Sequence, residues 1–153
     1  KASVNSGALS VDHLEIINQE DINILKGSKC MPTALPSCSF FLGIPYSPVR
    51  KLINNNLPVA LASDYNPGSS PSGNMNFVIS LACIKLKMTP EEAINAATIN
   101  SAYAMGIEKE LGSIDIGKKA NLFITKKIPS YNYIPYNFGE NVIVSTILNG
   151  KIQ

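Results

Sequence analysis

Along residues 57–63, LPVALAS, apolar side chains follow one another without alternation, and the run stops at Asp64. A short continuous apolar run is the pattern of a strand buried on both faces. Residues 8–14, ALSVDHL, read as another short strand that ends at Asp12 and His13. CMPTALP, 30–36, is a weaker strand because it holds two prolines. Helical spacing falls between these runs. NQEDINILKG, 18–27, places acids early, sets Ile22 and Leu25 on one face and stops at Gly27. SPVRKLINNN, 47–56, opens with Ser47 as N-cap and Pro48 at the first helical position. Residues 74–88 predict a well-buried helix. TPEEAINAATINSAYAMG, 89–106, predicts one long helix, with Thr89 and Glu92 forming a capping box.

Strands alternating with helices in this way predict an α/β fold with parallel strands over residues 1–110. Beyond that the pattern changes. LGSIDIGKKANLFIT (111–125) and VIVSTILNGKIQ (142–153) are strand-like with glycine-centred turns, and a Tyr/Pro/Asn-rich loop separates them. A boundary is therefore expected at 110/111. Two strands alone are not stable in water, so the 111–153 tail is expected to pack on something else.

Composition narrows the function classes. The 153 residues are 45% hydrophobic with a formal charge of +2, enough for one real core. The few basic residues are scattered, which disfavours a nucleic-acid partner. No apolar run reaches 18 residues, so no membrane span is expected, and the first residues lack the apolar centre of a signal peptide. Cys30, Cys38 and Cys83 include no CxxC pair, which argues against a disulfide framework or a Cys-rich zinc site. Reduced thiols packed as small apolar groups, and a cytoplasmic location, fit better.

Candidate chemistry lies where the strand runs end, because ligands of parallel α/β folds sit at the carboxyl ends of the strands. Asp64 and His13 both occupy such positions. A carboxylate there can bind a divalent metal or accept a proton. In the loop that follows, Asn66 and Ser69 offer hydrogen bonds and Gly68 permits close backbone approach. Spacing alone leaves other readings open. Asp64 equally fits the start of an Asx turn, His13 fits a packed or surface histidine, and Asn66, Gly68 and Ser69 fit turn chemistry. Asp12 and Glu15 read as solvated neighbours of His13.

A resemblance gives these residues more specific expectations. ALASDYNPGSSP (60–71), followed by the helical stretch through Gly106, then GSIDIGKKANLFI and YNYIPYNFG, resembles the imidazolonepropionase family of metal-dependent amidohydrolases. SVDHL resembles the family's strand-end histidine motif. The resemblance covers essentially the whole chain. It implies the C-terminal part of a (β/α)₈ barrel, plus strands of a small β-sandwich domain. It also implies one divalent metal ion, zinc or iron, and a homodimer. Asp64 corresponds to the metal-ligating aspartate, and His13 to the histidine facing the substrate. Asn66, Gly68 and Ser69 correspond to substrate-binding loop positions. The implied reaction is hydrolysis of the cyclic amide of 4-imidazolone-5-propanoate to N-formimino-L-glutamate. Competing expectations are another cyclic-amidine or amide hydrolase or deaminase, and a non-catalytic barrel-half binding module.

Two departures stand out. Asn121 occupies a position where the superfamily usually has aspartate, and an effect on packing rather than chemistry is expected. The family pattern also needs an HxH pair, a further histidine with a nearby glutamate, and propionate-holding groups. This chain has one histidine. The resemblance therefore implies that the N-terminal half of the enzyme supplies those groups, and that this chain alone is inactive.

Overall fold

The computed structural model describes residues 1–153. After a single turn of helix, α1 (Ala2–Asn5), comes β1 (Ser10–Val11), then α2 (Gln19–Lys26) and β2 (Met31–Ala34). Next are α3 (Pro36–Leu42), α4 (Val49–Asn54) and β3 (Ala60–Leu61). The three strands form one parallel sheet in the order β1-β2-β3, with Ser10 opposite Met31 and Thr33 opposite Ala60. The expected parallel α/β alternation is thus present, although the paired stretches are shorter than the apolar runs.

The central strand is the one that sequence reasoning rates weakest. Pro32 is tolerated there for a local reason. The Met31 N–H donates to Leu9 O and Ala34 O accepts from Ala62 N–H, so odd positions of β2 face β1 and even positions face β3. The donor that Pro32 lacks would point toward β3 before pairing begins at Thr33 and Ala60. The second proline, Pro36, starts α3 instead of weakening a strand, at the first helical position where no N–H is needed.

Other helix boundaries also differ from expectation. Pro48 is the N-cap of α4 rather than its first residue, since its ψ of 58° lies outside the helical range. The helix expected over 89–106 is two helices, α6 (Pro90–Ala97) and α7 (Ile99–Ala104), which follow α5 (Met75–Ile84). The break falls at Thr98, with φ −121° and ψ −91°. Its hydroxyl donates to Ile94 O at 2.7 Å, and the Ser101 hydroxyl donates to Ala96 O at 2.7 Å, so side chains take carbonyls that a continuous helix would use. The capping box is present as expected: Thr89 accepts from Glu92 N–H and the Glu92 carboxylate accepts from Thr89 N–H.

The core lies between the sheet and α2, α4, α5 and α6, with Ile22, Leu52, Leu61, Val78 and Ala93 fully or almost fully buried. The carbonyls of Val59 and Leu61, which point away from β2, face Asn100 Nδ2 (2.9 Å) and Ser101 Oγ (2.8 Å) of α7, the one Ser101 proton being shared between Leu61 O and Ala96 O. Those donors blunt the free edge of β3. Arg50 on α4 forks onto Glu92, at 3.1 and 2.5 Å, and onto the carbonyl of Lys87, tying α4 to the start of α6.

The tail holds β4 (Leu122–Thr125), β5 (Ile143–Leu148) and β6 (Lys151–Ile152) in a separate antiparallel sheet, order β4-β5-β6. It is a single layer. A short helix in the loop between β4 and β5, α8 (Tyr133–Tyr136), packs on α5, and Tyr131 Oη donates to Glu91 on α6 at 3.1 Å. The tail therefore packs on the parallel unit, as its instability alone requires. Gly112 (φ +92°) makes the passage possible: a Cβ there would lie 2.7 Å from Ala102 Cβ and 2.9 Å from Ile99 Cα. Asn121 Oδ1 accepts from Asn149 N–H at 2.7 Å, joining the start of β4 to the β5–β6 turn, which is the packing role expected of it.

Candidate active site

Because β1, β2 and β3 are parallel, the residues that follow them leave the sheet on one side. His13 and Asp64 are both on that side, two and three positions past their strands, and both have positive φ: 68° for His13 and 52° for Asp64. Left-handed backbone is uncommon outside glycine, and Asp and His are among the residue types that tolerate it best. Strained positions of this kind cluster at functional sites.

Around Asp64 the loop is held by its own side chains. Ser69 Oγ donates to Asp64 Oδ2 at 2.9 Å. Asn66 Nδ2 donates to Asp64 O and to Ser69 Oγ, each at 2.7 Å, and Asn66 Oδ1 accepts from the N–H groups of Gly68 (2.9 Å) and Ser69 (2.8 Å). A backbone bridge between Asn66 and Ser70 closes the turn. The carbonyl of Ser63 accepts from Ser70 Oγ at 2.7 Å and from Ser37 Oγ of α3 at 3.0 Å, so α3 is anchored to the same loop. Thus Asp64, Asn66, Gly68 and Ser69 form one hydrogen-bonded unit. The Cys38 thiol of α3 hydrogen-bonds into the same cluster, to Ser69 and to Asp64.

His13 stands apart. Its side chain is 56% exposed, and Nδ1 lies 3.7 Å from Glu15 Oε1. No hydrogen bond joins it to the Asp64 loop. Glu15 is not the solvated neighbour expected from sequence: its side chain is only 16% exposed, and Oε1 is buried without a hydrogen-bond partner. Its burial follows from where the chain turns after β1, which spacing does not encode.

Cys38 is a further residue of this region that sequence reasoning left among the packed thiols. It is buried on α3. Burial pushes its thiol above the usual range, the Ser69 hydroxyl opposes that, and the nearby Asp64 and the charge of Glu15 add to the rise. A buried thiol held neutral is a poor nucleophile and a poor metal ligand. Below the rim, Thr33 on β2 leaves a buried hydroxyl without a partner. It lines a cavity of about 360 Å³ between the sheet and α7, together with Asp12, Ala62 and Ser101.

The donor types bear on metal binding. Asp64 Oδ1 is a hard oxygen donor of the kind that divalent cations take. No group of three or more His, Cys, Asp or Glu side chains converges anywhere in the chain. A catalytic zinc site normally draws three protein ligands. The residues present therefore fit one ligand of a set, not the set.

An open carboxylate at the carboxyl end of a parallel strand, in this fold, has a family context. The family model described as "Amidohydrolase family" matches residues 9–153, and the chain belongs to that family. Within it, the chain is 64% identical over 152 residues to the imidazolonepropionases of Christiangramia forsetii and Flavobacterium johnsoniae, covering 99% of this chain and 37% of each relative. It is 45% identical over 145 residues to that of Alkaliphilus oremlandii. The resemblance drawn from the Asp64 loop is borne out by these identities. The chain spans about a third of the length of the curated relatives it matches. Among solved structures, a zinc-bound adenosine deaminase from Xanthomonas campestris superposes with a TM-score of 0.84 at 19% identity, over 94% of this chain and 36% of that one. Guanine deaminase from E. coli gives 0.79 at 17%, over 94% and 38%. At such identities the likeness is one of fold, and it agrees with the expected partial barrel. No helix is long and apolar enough to cross a membrane.

Proposed function

We propose that this chain is the C-terminal part of an imidazolonepropionase, dividing near 110/111 into barrel units and strands of a small β-domain. The enzyme hydrolyses the cyclic amide of 4-imidazolone-5-propanoate to N-formimino-L-glutamate. The observation that carries the reading is the 64% identity over 99% of the chain, which includes the whole Asp64 loop. Large apolar side chains left almost fully exposed, Ile16, Ile114 and Ile116, fit a chain covered by further parts of the same enzyme.

In this reading Asp64 holds a divalent metal, zinc or iron, through Oδ1, alongside ligands from outside this chain. When bound, such an ion lowers the pKa of a coordinated water and polarises the substrate carbonyl. The chain's own residues then have distinct tasks. Asp64 takes a proton from the attacking water and passes it to the ring nitrogen that leaves. Water oxygen ends on the carbonyl carbon, the C–N bond breaks, and the nitrogen keeps the proton, so the ring opens with atoms balanced. His13 donates a hydrogen bond to the carbonyl oxygen as negative charge grows there. The loop of Asn66, Gly68 and Ser69 borders the polar groups of substrate and product.

The test is a substrate panel on the full-length protein: the imidazolone beside cyclic amidines such as purine bases. Ring opening of the imidazolone with no ammonia release from the amidines is the expected result. Deamination without ring opening would overturn the reading in favour of a deaminase, and no turnover of either in metal-loaded protein would favour a non-catalytic module.

A further inference from the structure

Between Lys29 and Arg50 the chain carries no charged residue. Cys30 through Ser39 are buried, and then six consecutive residues, Phe40, Phe41, Leu42, Gly43, Ile44 and Pro45, are all exposed. Phe40 and Phe41 each stay 54% exposed. Neighbouring helical residues point about 100° apart, so a helix lying flat on the core would hide part of such a run. Here α3 ends at Gly43, in left-handed backbone with φ 66° and ψ 27°, and the run projects as a knob at that end. With its large side chains about half exposed, the knob presents roughly 400 Å² of apolar surface, the size at which an exposed patch marks an interaction site. Single apolar residues at a surface need no explanation, whereas an uncharged cluster of them does.

We infer that the α3 knob is the centre of an interface with a second copy of this protein. The place of the knob leaves it outside what completes the barrel. α3 follows β2, the middle strand, which is paired on both sides. Phe40 packs edge-on against Phe77 of α5, with ring centroids 5.3 Å apart, so the knob hangs on the outer helices over β2 and β3. Further barrel strands join beyond β1 or beyond β3, and further strands of a small domain join the tail. The almost fully exposed Ile16, after β1, and Ile114 and Ile116, before β4, lie toward those places. The absence of charge then selects the partner. A two-fold interface sets one surface against itself, so like charges near the axis would repel. Residues 30–49 bring none, and the knob meets its own copy without that penalty. The area agrees: a stable interface buries about 800 Å² on each side, and the knob supplies the apolar centre of such a patch, inside a polar rim. This inference rests on the partial-barrel fold and not on the catalytic reading of Asp64.

The test is the mass of the full-length protein in solution, from light scattering on gel filtration and from sedimentation over a range of concentrations. The wild type is expected to be a dimer. Phe41→Glu puts a charge at the centre of the knob on both copies, and is expected to weaken self-association by about 100-fold or more with the circular dichroism unchanged. Phe41→Lys is expected to do the same. A one-to-one mixture of the two variants is expected to recover the dimer, which a merely disruptive substitution would not do. Phe41→Cys avoids the added charge: a short bis-maleimide is expected to join two copies through position 41, above the background seen with wild type. A monomeric wild type, the outcome if the knob docks a different protein, would overturn the inference. So would a dimer that Phe41→Glu leaves intact and Phe41→Cys does not cross-link. If Phe41→Glu fails to fold, cross-linking decides: no link at position 41 means that another part of the same enzyme covers the knob, and the inference falls.

Discussion

At the carboxyl end of β3 the chain surrounds Asp64 with a hydroxyl, an amide, two backbone N–H groups and a bridge, all drawn from seven residues of sequence, 64–70. At the carboxyl end of β1, His13 is half exposed, and its neighbour Glu15 buries an oxygen that nothing satisfies. Both ends belong to one sheet, and both use left-handed backbone. The difference is in who supplies the surroundings. A loop such as DYNPGSS can saturate itself, because Asn, Gly and Ser bond their own backbone over two or three residues. His13 has only Glu15 nearby in sequence, at 3.7 Å and outside hydrogen-bond reach, and a buried carboxyl oxygen without a donor is costly. Local sequence therefore finishes the carboxylate half of the candidate site, whereas the histidine half depends on groups that lie far away along the chain or outside it.

Substitution of His13 probes the unfinished half. His13→Asn keeps a residue that tolerates positive φ while removing the imidazole donor. In the full-length enzyme it is expected to lower kcat by about 10²–10³-fold with KM changed only a few-fold, the signature of a hydrogen bond made to developing charge. Steady-state kinetics on the imidazolone check this. A KM effect alone would move His13 from the reacting carbonyl to substrate binding, and would blur the contrast with Asp64.

Gly112 tests whether the tail and the site are separable. A methyl group at φ +92°, 2.7 Å from Ala102 and 2.9 Å from Ile99, must displace backbone. Gly112→Ala is expected to cost roughly 1–3 kcal/mol of stability, seen as a lower Tm, while kcat at low temperature stays near wild type. A loss of kcat in fully folded protein would mean that the tail feeds into the strand ends after all.

The smallest effect is expected at Glu92, remote from both strand ends. Its hydrogen bond with Arg50 holds the carboxyl below the usual range, with the Thr89 backbone helping against burial. Glu92→Gln keeps the capping box but loses the charge. The expected loss is about 1 kcal/mol or less near pH 7, as for a partly exposed ion pair. Because the folded pKa is depressed, the wild-type advantage is full above the unfolded value, roughly 4.3, and fades as pH falls through the lower folded value. Urea melts from pH 7 down to pH 3 measure the convergence of the two proteins.

Much of the frame was legible because it is local. The apolar run that stops at Asp64, the capping box of Thr89 and Glu92, and the Asn-Pro-Gly-Ser turn each declare themselves within a few residues. The misses are tertiary. β2 read as weak because prolines are counted without knowing which edge their missing N–H faces. α3 went unseen because Phe40, Phe41 and Leu42 are all exposed and leave no polar face to give a period. Thr98 breaks a helix through a hydroxyl choice that spacing does not reveal. Glu15 and Cys38 are buried by contacts between elements, so no motif marks them. For the Asp64 loop, the residue types were readable as chemistry, but only the structure shows that Asp64, Asn66, Gly68 and Ser69 form one hydrogen-bonded unit.

The central claim is that Asp64, presented by its loop, is the metal-holding and proton-moving carboxylate of a ring-opening hydrolase. Its most direct test is turnover and bound metal measured together in full-length wild-type and Asp64→Asn proteins. The amide is neutral, a poorer ligand and no proton acceptor, so turnover is expected to fall by about 10²–10⁴-fold or more, with much of the metal lost and the fold retained by circular dichroism. Near-wild-type ring opening by Asp64→Asn with a full complement of metal would contradict the account.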